Sequence, residues 1–520
     1  MNAAAEKPKI VAVIELGSTG IRLLVASLEA DGGYEILDRA GKPSRLGRDV
    51  FTGGSVSRET SRESIAILAG FKELIRGYGI EAREAHVIAT SALREAANRD
   101  TFVDRVAMQT GFRVHVIEDL EGNHLTWLAV EHALADERRI LTRSNAMILE
   151  VGGGSTEIML LRRGKMAASH SLRLGTVRVD EMVRNSGQVT TSLRQFVEDN
   201  VRTACDLLDG ELPLEGIKTF IVIGSDSRIV AARKANERYE QYSIVSREAF
   251  VGFAEEYGGL TPDETVAKLR IPWAEADGLG PGLMIQSLFL ERTGAEQVVV
   301  PTVSIREGVL HTLASGPDPE HAEDMHRQIV ASAMSLGRKF RFDEEHAEQV
   351  ARLSLVLFDA LAKDHRLGSR ERLLLEVGAL LHDIGSYIRP SGHHKHSEYI
   401  IENSEIFGLS RSDQVVVANL ARYHRKGQPA STHINYIALP REDRILVLKL
   451  GSLLRIADAL DRGHDRRVGR LEVERREDRL LLKVLDASGL PETELSLERL
   501  SLAEKGDMFE DVYGIEAILV

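Results

Sequence analysis

The chain has 520 residues and only one cysteine, Cys205. An internal disulfide framework is therefore excluded, and a lone thiol suits a reducing cytoplasm, where its simplest role is that of a small buried apolar residue. The sequence has no uninterrupted apolar run of 18 or more residues, so no membrane span is expected. It also lacks a basic N-terminal segment followed by an apolar one, which argues against a secretion signal. Positive charge is not in excess. The net charge is −13, which argues against broad electrostatic binding of DNA or other nucleic acid. A polyanionic ligand would have to find local basic contacts. No short-period repeat or low-complexity tract is present.

What remains is 43% hydrophobic and 28% charged, the balance of a soluble globular protein, and the length calls for two to four domains. One stretch stands out: Leu149-Glu150-Val151-Gly152-Gly153-Gly154-Ser155-Thr156-Glu157. An apolar strand ends in a carboxylate, three glycines and two hydroxyls follow, and a second carboxylate closes the turn. Glycines let backbone N–H groups approach an anion, and carboxylates hold a hard divalent cation.

The same design occurs earlier. Residues 9–15 read as a buried strand ending in Glu15, Leu16-Gly17-Ser18-Thr19-Gly20 as a turn, and 21–26 as a returning strand. Residues 44–54 read as a loop in which Arg45 and Arg48 are either phosphate contacts or solvated cations. A strand at 84–90 leads into a helix carrying Arg94, well placed for an anion. A strand at 113–117 runs into Glu118, Asp119 and Glu121, acids that either serve a function or cap the helix at 122–136. In the second half of this region, strands are expected at 145–150, 157–163 and 218–224. The last of these ends in Gly224-Ser225-Asp226-Ser227-Arg228. Two acid-led glycine turns facing one another resemble the phosphate clamp of the actin and sugar-kinase superfamily, which has two ribonuclease H-like domains around a cleft.

Residues 314–320 form a Pro/Gly linker, and helical spacing takes over at 321–336, 344–362, 370–383, 396–404, 411–423 and 442–462. His346, His382-Asp383 and Asp458 have the order and approximate spacing of an HD-type metal site, and His and Asp ligands on facing helices suit a transition metal. His393, His394, His396 and His424 crowd the same region. The alternative reading is that these residues are remnants within a domain that builds a dimer and a basic channel from Lys395, Arg422, Arg425, Lys426, Arg462, Arg466 and Arg467. Alternating strands at 468–474 and 479–485 begin a small terminal cap.

Taken in order, Gly17–Leu23, Ala89–Ala96, Gly152–Glu157, Leu174–Arg178, Leu380–Gly385, Gly392–Ser397, Tyr423–Arg425 and Leu454–Arg462 resemble the exopolyphosphatase / guanosine pentaphosphate phosphohydrolase family over nearly the whole chain. The resemblance implies an α/β + α architecture. Two ribonuclease H-like domains (1–138 and 139–314) precede a helical HD-like domain (315–467) and a small α/β cap (468–520).

It also implies metal-dependent release of terminal phosphate from inorganic polyphosphate, or conversion of guanosine pentaphosphate to the tetraphosphate. A homodimer and a magnesium or manganese ion go with that activity. By position, Glu150 and Glu157 would be metal ligands. Ser18, Thr19, Arg22, Arg94, Gly153, Gly154, Ser155 and Thr156 would contact phosphate, and Glu121 would activate water, with Glu118 and Asp119 as alternatives. A non-catalytic sensor binding the same ligands is the competing expectation. It rests on three departures. Glu15 and Glu150 stand where the family usually has aspartate, Gly122 and His124 replace a glutamate and an arginine near the base, and Gly224–Ser227 is less glycine-rich than usual.

Overall fold

The computed structural model describes residues 9–29, 32–185, 193–315, 319–485 and 495–520, with side chains at 183–185 and 319–321 also left aside. The chain divides into two compact units, Met1–Asp324 and Met325–Val520.

The first unit holds two sheets. The first sheet is built from β1 (Lys9–Leu16), β2 (Gly20–Leu28), β3 (Tyr34–Pro43), β4 (His86–Ala89) and β5 (Val114–Val116), in the order β3-β2-β1-β4-β5. β1 to β3 are antiparallel, and β4 and β5 continue parallel to β1. The second sheet contains β6 (Asn145–Val151), β7 (Thr156–Arg162), β8 (Lys165–Leu172), β9 (Ile217–Ile223), β10 (Glu237–Arg238), β11 (Tyr242–Ser246) and β12 (Gln297–Pro301). Its order is β10-β11-β12-β9-β6-β7-β8. The run β8-β7-β6-β9-β12 repeats the pattern of the first sheet, with β10 and β11 added at one edge. These are the two ribonuclease H-like sheets expected from the paired glycine turns.

Their central strands are apolar because they are covered on both faces. Ala12, Val13 and Ile14 in β1, and Ala146, Met147, Ile148 and Leu149 in β6, are all fully buried. Each run ends in a polar tip at the strand's C-terminal edge, the usual place for a site in an α/β sheet. Cys205 is fully buried, as a small apolar residue would be.

One local expectation is corrected. Residues 46–53 form a helix, Leu46–Gly53, rather than a loop; it buries Leu46 and Val50 and stops at Gly54, whose φ of 71° is left-handed. A further helix, Thr176–Asn185, begins directly after the turn at Gly175. The sequence signal was weak in both places because the helices are short, and the first of them starts without a side-chain cap.

In the second unit, helices Glu344–Ala360, Ser369–Leu381, His393–Glu402, Arg411–Tyr423 and Arg441–Leu460 match the helical spacing to within a few residues. Part of the expected linker, residues 316–318, lies outside the described residues, and the following helix is Pro319–Lys339. A three-stranded sheet follows, β13 (Arg470–Arg475), β14 (Arg479–Leu485) and β15 (Glu516–Leu519), in the order β13-β14-β15. It shares one hydrophobic core with the helices, including Leu450, Leu454, Leu480, Leu482 and Phe509. The helical part and the cap therefore pack as one unit. The buried Arg455 ties them, donating to Lys426 O at 2.9 Å, Lys505 O at 3.1 Å and Asp507 Oδ1 at 3.0 Å. Among the described residues no helix is long and apolar enough to cross a membrane.

Candidate active site

In the first unit the tips of the two hairpins meet over a cleft of about 980 Å³. Their contact is close enough to require glycine. A Cβ on Gly153 would lie 2.8 Å from Ser18 Cβ, and one on Gly154 would lie 2.3 Å from the Phe51 ring and 2.7 Å from Ser91 Oγ. The helix after Gly175 anchors the second turn from behind. The N–H groups of Thr176 and Val177 donate to Gly152 O and Gly153 O, both at 3.0 Å. Among the described residues, the N–H groups of Gly153 and Gly154 have no hydrogen-bond acceptor. This is the state in which backbone donors can receive an anion.

Strand register places the acids. Glu150 pairs directly with Glu157 across β6 and β7, whereas Glu15 pairs with Arg22 across β1 and β2. Directly opposed residues share a face, and two like charges there are unfavourable unless a cation intervenes. Both acids line the cleft. Burial pushes the Glu157 carboxyl up to about 8, with the Asp119 charge adding to the effect. Burial likewise lifts Glu150 to about 6, against a 2.9 Å hydrogen bond from Thr126 Oγ1. Glu157 Oε1 accepts from Ser155 Oγ at 2.7 Å and Ser171 Oγ at 3.0 Å, while Oε2 is buried without a hydrogen-bond partner. A third buried acid, Asp226, is raised by burial to about 7.

Most of the remaining expected residues gather at the same cleft. Ser18, Thr19, Arg22, Arg94, Gly153 and Ser155 line it. Ser18 Oγ lies 3.2 Å from Ser91 Oγ, and Arg22 Nη2 donates to Thr19 Oγ1 at 3.4 Å. Arg94 donates to Ile117 O at 2.9 Å and is paired with Asp119. Two expected contacts are turned elsewhere. Gly154 is buried under Phe51, and the Thr156 hydroxyl donates to Leu174 O. Glu121 is not brought into the cleft. Its oxygens lie 3.0 and 3.1 Å from His115 Nε2 on the exposed side, while Asp119 and Gly122 of the same turn do line the cleft. Arg45 and Arg48 are ion-paired, Arg45 with Glu59 and Glu63, and Arg48 with Glu181 and Asp277.

Two cleft residues escaped the sequence reading. Arg306 Nε sits 3.2 Å from Glu15 Oε2, and Arg228 projects from the first turn of the helix Ser225–Lys234 that follows β9; both are largely buried cations. Their signal was an arginine soon after a small-residue strand end, which the sequence also shows at Arg94.

Comparison with known proteins bears on the fold and the family. The Ppx/GppA phosphatase family model matches residues 24–315, and the model for Ppx/GppA phosphatase domain III matches 329–504. A guanosine-5'-triphosphate,3'-diphosphate pyrophosphatase of Pseudoalteromonas translucida is 25% identical over 431 residues, 82% of each chain. One from Photobacterium profundum is 24% identical over 475 residues, 86% of each. Among solved structures, an exopolyphosphatase from Cytophaga hutchinsonii aligns with a TM-score of 0.53 at 18% identity, covering 59% of this chain and 98% of the other. That likeness concerns the fold. With its two glycine turns, its opposed carboxylates and family matches across both units, the chain belongs to the Ppx/GppA phosphatase family.

Proposed function

We propose that the cleft hydrolyses a terminal phosphoric anhydride of inorganic polyphosphate or guanosine pentaphosphate with a divalent cation, magnesium or manganese, held by Glu150 and Glu157. The observation that carries this reading is the Glu150–Glu157 pair: two acids in direct register, both raised in pKa, one with a buried oxygen that no hydrogen bond satisfies. All-oxygen donors are the chemistry a hard cation takes. Magnesium in particular is held by one or two carboxylates, with water and substrate phosphate completing its shell. When bound, the cation neutralises charge on the phosphoryl group.

The chain's own residues do the rest. The N–H group of Gly153, with the Ser18, Thr19 and Ser155 hydroxyls, orients the chain end. Arg94 and Arg22 supply charge-assisted donors for developing negative charge. Arg228 and Arg306 supply the local positive potential that a net charge of −13 does not give. Water is activated by a carboxylate of the turn after β5. Asp119 stands in the cleft in the observed arrangement, and Glu121 reaches it on leaving His115. Phosphate release measured side by side on polyphosphates of several lengths, guanosine pentaphosphate and nucleoside triphosphates tests the reading. Turnover of at least one of the first two is expected. Tight binding of both without release under any divalent cation would replace hydrolysis with sensing.

A further inference from the structure

The second unit contains a group of side chains that the cleft chemistry does not use. His346, His382, Asp383, His393, His424 and Asp458 come from five separate chain segments, and their ligand atoms converge in overlapping triads, each within 4.8 Å. All four imidazoles are oriented the same way. The Nδ1 of His382 lies 2.7 Å from Ala379 O, that of His393 2.9 Å from Pro390 O, and that of His424 2.7 Å from Ala421 O. His346 Nδ1 lies 2.7 Å from Asp461 Oδ2. Each acceptor takes a proton from Nδ1, which fixes the tautomer and leaves a lone pair on Nε2.

The four Nε2 atoms point inward, toward two carboxylates. His346 Nε2 is 3.7 Å and His382 Nε2 3.9 Å from Asp458 Oδ1. Asp383 Oδ1 is 3.7 Å from His382 Nε2, 2.8 Å from His393 Nε2 and 3.3 Å from His424 Nε2. His393 Nε2 and His424 Nε2 are 3.2 Å apart. These lie in the range of donors sharing a metal ion: at about 2.1 Å per bond, neighbouring donors stand about 3.0 Å apart in an octahedron and about 3.4 Å apart in a tetrahedron, and opposite donors about 4.2 Å apart in an octahedron. A hydrogen-bonded core would leave nothing unsatisfied here, yet His346 Nε2 and His382 Nε2 are buried with no hydrogen-bond partner.

We infer that this cluster is a transition-metal centre with ligands for two ions: His346, His382, Asp383 and Asp458 for one, and Asp383, His393 and His424 for the other. Asp383 is shared between them. Four imidazole nitrogens favour iron, cobalt, nickel or zinc over magnesium. Lys505 pairs with Asp458 Oδ2 and leaves Oδ1 for the ion. The centre stands on geometry alone and does not depend on the activity proposed for the cleft.

The full-length protein is stripped with chelator, reloaded separately with manganese, ferrous iron, cobalt, nickel and zinc, desalted, and assayed for bound metal by mass spectrometry. The cobalt form is also read by its visible spectrum. The wild type should retain a transition metal, show the ligand-field bands of nitrogen-ligated cobalt, and melt at a higher temperature when loaded. The double variant His382→Ala/Asp383→Ala should lose the metal, whereas Glu150→Gln/Glu157→Gln should keep it. His393→Gln alters one ring only and guards against misfolding of the double variant; with circular dichroism unchanged, it should lose part of the metal. The inference is overturned if the wild type retains none of the five metals, or if His393→Gln and His382→Ala/Asp383→Ala both retain as much as the wild type.

Discussion

Replacing Glu157 by glutamine removes a charge and little else, so its consequences can be worked out from the surroundings. The Glu157 carboxyl is raised in the folded chain from the usual 4.5 to about 8, chiefly by burial and secondarily by Asp119. A folded-state pKa above the unfolded one means that the folded form binds the proton more tightly. The associated stability is therefore fully present below pH 4.5 and is lost as pH rises through 8. At about 1.4 kcal/mol per tenfold change in affinity the ceiling is about 5 kcal/mol, and relaxation of the buried site brings a working figure to roughly 2 kcal/mol. In chelator, the wild type should lose about 4 °C in Tm between pH 5 and pH 9 from this group, at roughly 2 °C per kcal/mol for a unit of this size. The Glu157→Gln variant should lack that component and melt higher than the wild type at pH 9. Magnesium should invert the order: a ligand at 100 times its Kd stabilises by about 2.7 kcal/mol, and only the wild type should gain it. Calorimetry across pH with and without magnesium reads both effects. Equal magnesium stabilisation of the two proteins would refute the assignment of Glu157 as a cation ligand.

The remaining predictions concern the walls of the cleft. Gly154→Ala places a Cβ 2.3 Å from Phe51 and should part the two turns, lowering kcat at least tenfold with little loss of fold by circular dichroism. Arg94→Ala should reduce kcat/KM by about 10²- to 10³-fold, as loss of a preorganised donor to developing charge does, and should free Asp119 from its ion pair. Asp119→Asn and Glu121→Gln compared in single-turnover assays will assign the base. If it is Asp119, which lines the cleft, Glu121→Gln should retain most activity. If Glu121 leaves His115 to act, Glu121→Gln should be the slower by about 10²-fold or more.

The central strands of both sheets and their tips were legible in the sequence because a covered strand leaves an uninterrupted apolar run, and an acid followed by glycines cannot continue it; β3, β10 and β11 were not read. Helices of the second unit were equally plain from their spacing. The direction of individual side chains was not legible. Glu121 lies in the first turn of the helix Asp119–Ala133 that follows β5, yet its carboxylate is taken by His115 of β5, a contact that no periodicity announces. Arg306 and Arg228 join the cleft through strand order, which brings β9 and β12 together with β6. The helix Leu46–Gly53 was hidden by Arg45 just before it, by Arg48 within it and by Gly53 and Gly54 at its end, and tertiary packing of Leu46 and Val50 decides it. In the second unit the sequence offered His346, His382, Asp383 and Asp458 as a set. It is the backbone carbonyls behind His382, His393 and His424 that show every Nε2 turned inward, and carbonyl positions cannot be read from spacing.

Anhydride hydrolysis through a divalent cation at the opposed Glu150 and Glu157 carboxylates of the β6–β7 hairpin is the proposal most worth testing. Its most direct test is phosphate release from polyphosphate and guanosine pentaphosphate by the wild type and by Glu150→Gln/Glu157→Gln, titrated with magnesium and then manganese. The account predicts metal-dependent release by the wild type and near-complete loss in the folded variant at every metal concentration. Release by the variant at the wild-type rate, with the same metal dependence, would contradict it.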